Sequence, residues 1–233
     1  MAKIVIFSGA GISAESGIPT FRDVGGIWDN YKIEEVCVAG CLDTNREKTI
    51  EFYDKRRFEL ENVKPNKAHL EIAKLKQKYP NEIAVITQNV DDLFEKAGIT
   101  DVIHIHGFLK EIRCEKCEFV EDIGYKKTKD IYPNEKCPKC DNLLRPNVVF
   151  FEESAPLYIK AYQELDDCEM IVVIGTSGGV VNTDVLIQNR YSILNNLKKS
   201  IYINDELYDD VIYKPATEAI DEIVMKIERF LNV

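Results

Sequence analysis

Continuous apolar runs alternate with segments of helical periodicity along this chain, and that alternation predicts its fold class. Ile4-Val5-Ile6-Phe7 contains no polar position, the mark of a strand buried on both faces. Similar runs recur at Ile83–Thr87, 102–106, Met170–Ile174 and 200–203. Helical spacing of apolar positions lies between and beyond them, at 69–78 and 219–231. Strands and helices in alternation predict an α/β fold, a Rossmann-like, doubly wound parallel sheet. Two stretches break the rhythm. Residues 28–61 read as helical and highly charged, with Phe52, Tyr53, Phe58 and Leu60 as apolar contributions, and residues 109–145 hold few apolar positions. The expected organisation is therefore a main domain from 1–27, 62–108 and 146–233. A smaller domain is inserted discontinuously, a helical part at 28–61 and a second module at 109–145.

The cysteines say what supports that second module. Cys114, Cys117, Cys137 and Cys140 form two C-x-x-C knuckles about twenty residues apart, the spacing of tetrahedral zinc ligation. So short a module needs a metal in place of a large core, and four thiolates leave no open position for a catalytic water. One structural zinc ion is the expectation. Cys37, Cys41 and Cys168 form no disulfide framework, which points to a reducing, cytoplasmic setting. No signal segment and no apolar run of membrane-spanning length is present. The 233 residues carry a net charge of -10, which argues against specific nucleic-acid binding. The basic run Lys126, Lys127 and Lys129 reads as a solvated loop.

Candidate chemistry begins after the first strand. Gly9-Ala10-Gly11-Ile12-Ser13-Ala14 fits G-x-G-x-x-A between a strand and a helix-competent segment, a turn that can approach a pyrophosphate. A hydride-transferring dehydrogenase would place an acidic residue at the end of its second strand. Near residue 30 the chain offers Gly25-Gly26-Ile27-Trp28 instead. In 102–106 the alternation lets His104 and His106 face one side of a strand. A general base, a second metal site or a pair of structural histidines all fit that pair, although no third metal ligand is evident.

Taken together, four segments resemble the signatures of the sirtuins, NAD-dependent protein lysine deacylases. They are the run from Gly9 to Arg22, then Thr87-Gln88-Asn89-Val90-Asp91, then His106-Gly107 before the knuckles, and finally Gly175-Thr176-Ser177. They occur in the family's order over nearly the whole chain. Pro65-Asn66, Ala68-His69 and Arg145-Pro146 agree with it.

The resemblance implies roles. Gly9, Ala10, Gly11, Phe21, Arg22, Gln88, Gly175, Thr176, Ser177 and Asn204 would hold the ADP-ribose part of NAD. Asn89 and Asp91 would line the nicotinamide pocket, with Ile18 against the ring. The acyl-lysine carbonyl would attack the anomeric carbon, and His106 would act as general base on the ribose hydroxyls. Nicotinamide, O-acyl-ADP-ribose and free lysine would leave. Val148, Phe150 and Phe151 would contact the acyl-lysine peptide. Tyr53 and Arg56 have the Tyr-x-x-Arg spacing of the bacterial, desuccinylase-type branch, which accepts malonyl, succinyl or glutaryl lysine. Three apart on a helix, they share a face and can reach one carboxylate. Activity on both acetyl and acidic acyl groups is expected.

Several positions depart from the family pattern: Glu152 stands for a glycine, Asn182-Thr183 for Pro-Ala, Lys214 for a glycine, Phe94 for histidine and Val24 for alanine. Two rivals use part of the same inventory. A mono-ADP-ribosyltransferase would share the NAD pocket, and a non-enzymatic zinc and NAD-binding module would release no nicotinamide.

Overall fold

The computed structural model describes residues 2–20 and 32–232. Among the described residues the strands are β1 Ile4–Ser8, β2 Ile83–Thr87, β3 Ile103–His104, β4 Gly107–Cys114, β5 Val120–Asp122, β6 Leu144–Val148, β7 Met170–Ile174, β8 Tyr191–Asn196 and β9 Asp210–Tyr213. Among the helices are α1 Gly11–Ala14, α2 Ile33–Val36, α3 Cys41–Leu60, α4 Lys67–Lys78 and α5 Leu93–Lys96. Those that follow are α6 Thr128–Ile131, α7 Tyr158–Asp166, α8 Thr183–Leu186 and α9 Ala216–Leu231.

Six strands form one sheet in the order β3-β2-β1-β7-β8-β9, parallel throughout. This is the doubly wound Rossmann order, whose direction of winding reverses between β1 and β7. The apolar run of β1 explains its central place. Ile4 and Ile6 face a core completed by α4 and α9, while Val5 and Phe7 face a second core completed by α7. Every residue of β1, β2 and β7 is buried.

A separate antiparallel sheet, β5-β4-β6, carries the four knuckle cysteines at one end. Ile112, Ile123 and Leu144 pack beneath Cys114 and Cys137, so the module has a small apolar core as well as its thiolates. α3 is fastened to this sheet by a buried ion pair. Arg57 donates to Asp54 at 2.5 Å and to the Leu109 carbonyl at 2.7 Å, and Asp54 accepts from the Thr128 backbone and hydroxyl at 2.9 and 2.7 Å.

Three local expectations change. Residues 200–203 are not a strand, and Ile201 is 90% exposed. The strand beside β7 is β8, whose pattern hides it because Ser192, Asn195 and Asn196 are polar yet buried. Asn195 bonds the carbonyls of Ile212 and Lys214, and Asn196 bonds that of Thr176, which removes the cost of burial. The run 102–106 contributes only two strand residues before it turns. Phe58 is 57% exposed on α3 and adds nothing to the core.

Candidate active site

The turns after β1, β2 and β7 meet at the carboxyl ends of the central strands, where ligands of such sheets bind. The Gly11 N–H donates to the Gly175 carbonyl at 2.8 Å, and the Gly9 N–H to that of Ile174 at 3.0 Å. A Cβ on Gly11 would lie 2.7 Å from Gly175 Cα, and one on Gly9 would lie 2.9 Å from Thr176 Cβ. Gly175 adopts φ +65°, and its own Cβ would meet the Ile12 nitrogen at 2.4 Å. These glycines are therefore required first by the contact between two turns of the protein itself. The third turn joins through Gln88, whose backbone N–H reaches the Ser8 carbonyl at 2.9 Å and whose side chain reaches Thr176 at 2.8 Å.

Behind this junction lies a buried polar chain. Asn89 Nδ2 donates to the Gly9 carbonyl at 3.2 Å and to the Ser13 hydroxyl at 3.1 Å. Ser13 in turn donates to Asp91 at 2.9 Å. Burial pushes the Asp91 carboxyl above its usual range, although the Leu93 N–H and Ser13 partly stabilise the anion. Ile18 is half-buried and packs against the cluster that holds Tyr53, Val148 and Phe150.

The two histidines divide their tasks. His104 Nδ1 bonds the Asn89 carbonyl at 2.8 Å and Nε2 bonds Glu95 at 2.9 Å. Burial would lower His104, but the hydrogen bond and charge of Glu95 outweigh it and hold it above its ordinary value. His106 Nδ1 bonds the Gln88 carbonyl at 3.1 Å. A carbonyl only accepts, so the proton sits on Nδ1 and the neutral ring presents the Nε2 lone pair. Burial pushes the imidazole below its ordinary value, so it is neutral at physiological pH. A histidine with a fixed tautomer and its lone pair on Nε2 is equipped to take a proton from a hydroxyl.

On the other side of His106, the segment after β6 faces α3. Phe151 exchanges backbone hydrogen bonds with Cys37 and Ala39, and is 41% exposed. Phe150 is buried and stacks on Tyr53 at 5.4 Å between ring centroids. The Tyr53 hydroxyl donates to Cys37 Sγ at 3.2 Å, and Arg56 bonds Glu59 at 3.2 Å. Tyr53 and Arg56 thus lie one turn apart, and each of these bonds goes to a different partner. Glu152 adopts φ +70°, so the residue in the usual glycine's place keeps a glycine-like backbone.

Asn204 is exposed and caps the short 3₁₀ turn that follows it, accepting from the Glu206 N–H at 3.3 Å. The Ser177 carbonyl accepts from the Ser200 hydroxyl at 2.5 Å. Phe21 and Arg22, expected to hold NAD, lie outside the described residues, as does Val24.

The knuckle sulfurs of Cys114, Cys117, Cys137 and Cys140 lie within 4.8 Å of one another. Their closest pairs are 3.4, 3.5 and 3.6 Å apart, near the roughly 3.8 Å edge of a tetrahedral zinc–thiolate site. Backbone N–H groups of Lys116 and Cys117 point at Cys114 Sγ, and that of Lys139 at Cys137 Sγ, each at 3.4 Å. The donor set fits a zinc ion. Among the described residues this is the cluster that could hold a metal, and the His104–His106 pair is not part of one.

Sequence reasoning did not single out Ser13 as a bridge, Glu95 as the partner of His104, or Tyr158, whose hydroxyl bonds His106 Nε2 at 3.1 Å. Ser13 sits within a quoted motif. Nothing local connects Tyr158 to a histidine 52 positions away.

Comparison with known proteins places these features in context. A family model described as the Sir2 family matches residues 9–182. An NAD-dependent protein deacylase of Campylobacter jejuni is 48% identical over 235 residues, covering 100% of this chain and 98% of that protein. A crystal structure of a Sir2 homologue–NAD complex is 35% identical, with a TM-score of 0.84 over 98% of this chain and 90% of its own. A Sir2 protein with a deacetylated peptide and 3′-O-acetyl-ADP-ribose is 28% identical. Its TM-score is 0.80 over 96% of this chain and 92% of its own.

Proposed function

The chain belongs to the Sir2 family of NAD-dependent protein deacylases, and from that premise we propose that it transfers acyl groups from protein lysine to ADP-ribose with His106 as the general base. NAD, when bound, supplies the nicotinamide leaving group and the ribose hydroxyl that receives the acyl group. The observation that carries the assignment is the fixed tautomer of His106. Its Nδ1 is committed to the Gln88 carbonyl, so Nε2 is the atom left to accept a hydroxyl proton.

The remaining residues bind and orient. Asn89, Asp91 and Ser13 form a dry polar wall, suited to hold a carboxamide and to favour its departure. Ile18 closes that pocket. The junction of Gly9, Ala10 and Gly11 with Gly175, Thr176 and Ser177, bridged by Gln88, takes the phosphates and adenosine ribose, with Phe21, Arg22 and Asn204 completing it. Val148, Phe150 and Phe151 line the acyl-lysine entry. The four cysteines hold one structural zinc that keeps the small sheet folded against α3. In this reading 1–27, 62–108 and 146–233 bind NAD, and 28–61 with 109–145 form the substrate-side domain.

Acidic acyl groups are part of the proposal. Tyr53 and Arg56 share one face of α3, and Tyr53 is stacked on Phe150. A succinyl carboxylate would draw the guanidinium away from Glu59 and give it a stronger partner inside the cleft. The test is NAD-dependent deacylation of one lysine peptide carried as acetyl and succinyl forms, read by mass spectrometry. Removal of both supports the proposal, and removal of acetyl alone discards the carboxylate clamp. NAD consumption with ADP-ribose left on protein, and no acyl loss, would replace deacylation by mono-ADP-ribosyl transfer.

A further inference from the structure

A general base must meet the hydroxyl it deprotonates at about 2.6–3.2 Å. In this structure that place at His106 Nε2 is held by the Tyr158 hydroxyl at 3.1 Å. Tyr158 is the first residue of α7, directly after a loop of mostly exposed residues at 151–157. Its ring rests on the core beneath α7 and lies 6.0 Å from the imidazole, and Tyr162 stands next to it at 6.3 Å. Because Nδ1 is tied to a carbonyl, Tyr158 is the donor in the neutral pair and Nε2 the acceptor.

We infer that Tyr158 is a positioning residue that occupies the place of the ribose hydroxyl on His106, aligning the ring in the free protein and being displaced when NAD binds. The inference rests on the general-base reading of His106. Three observations favour a placeholder over a packing contact. The hydroxyl contacts the one atom of His106 that the chemistry needs. No other partner of comparable length is recorded for that hydroxyl among the described residues. The residue sits where a helix begins, so a small change in the preceding loop can move the hydroxyl without disturbing the apolar seat of its ring.

The consequence is a cost on NAD binding. Each NAD that binds productively exchanges one hydrogen bond at Nε2 for another, so the gain from the new bond is largely cancelled. Tyr158→Phe keeps the ring in its seat and removes the competitor. Its NAD dissociation constant should fall by about three- to tenfold, the worth of one neutral hydrogen bond. In the same variant the ¹⁵N resonance of His106 Nε2 should move to that of an unbonded imine nitrogen. The parent should show its own Nε2 shift changing on NAD addition.

Calorimetric NAD titration of the zinc-loaded full chain, with histidine ¹⁵N spectra, reads both without turnover. Failure of deacylation in the peptide assay would therefore leave this inference separately testable. A merely structural Tyr158 would change unfolding stability and leave NAD affinity and the Nε2 signal where they were. An unchanged or weaker NAD affinity in Tyr158→Phe, or an Nε2 resonance identical to the parent's, overturns the inference.

Discussion

His69 makes the stability of this protein depend on pH in a way that can be worked out in advance. It sits fully buried on α4, edge-on to Phe94, with Nδ1 against the Asn66 side chain at 3.1 Å and, among the described residues, no hydrogen-bond partner for Nε2. Burial lowers its value from 6.5 to about 4. Between those values the unfolded chain binds a proton that the folded chain refuses, so acidification favours unfolding. At about 1.36 kcal/mol per unit, the full penalty is about 3 kcal/mol, with about 2 kcal/mol of it developed between pH 7 and 4.5. The site matters for function because Asn66 Nδ2 also holds the Ile12 carbonyl at 2.7 Å, next to the first glycine turn. The assay is urea unfolding of the parent and of His69→Gln across that range. Loss of zinc at low pH affects both proteins alike and cancels in their difference. The parent should lose about 2 kcal/mol more than the variant on acidification. Parallel curves, or a larger loss in the variant, would refute the assignment of a neutral buried imidazole.

Other outcomes follow from the same geometry. His106→Ala should abolish deacylation while zinc content and unfolding midpoint stay near the parent's; full activity would end the general-base role. In the parent, the acid limb of the kcat/KM profile should lie below pH 6.5, since burial holds His106 neutral there. Arg56→Met should depress desuccinylation far more than deacetylation in parallel peptide assays. Arg57→Met leaves Asp54 buried without its cation and should cost about 3–5 kcal/mol in denaturant unfolding. Glu152→Gly releases a left-handed backbone at φ +70° and should stabilise by about 1 kcal/mol, read as a raised urea midpoint.

The thiolate cluster and the central sheet were legible because their requirements are local. Two C-x-x-C knuckles need only a tight turn each, and they specified the thiolate cluster without reference to the rest of the chain. The apolar runs of β1, β2 and β7 specified a central parallel sheet because strands buried on both faces have no polar positions to disguise them. The Thr87–Asp91 motif stands on the turn after β2, where Gln88 reaches Thr176 across the junction.

Tertiary structure decided the rest, for reasons a linear pattern does not contain. β8 was hidden because its buried asparagines are satisfied by carbonyls of distant segments, and partners of that kind exist only after folding. Gly9 and Gly11 suggested an approach to pyrophosphate. Folding shows that they first make room for Gly175, more than 160 positions later. The tautomer of His106 depends on the Gln88 carbonyl, and its Nε2 meets the hydroxyl of Tyr158, 52 positions later. Sequence sets which groups can ionise, ligate or turn. Which of them meet is set by packing, because a hydrogen bond of about 3 Å can join residues at any separation along the chain.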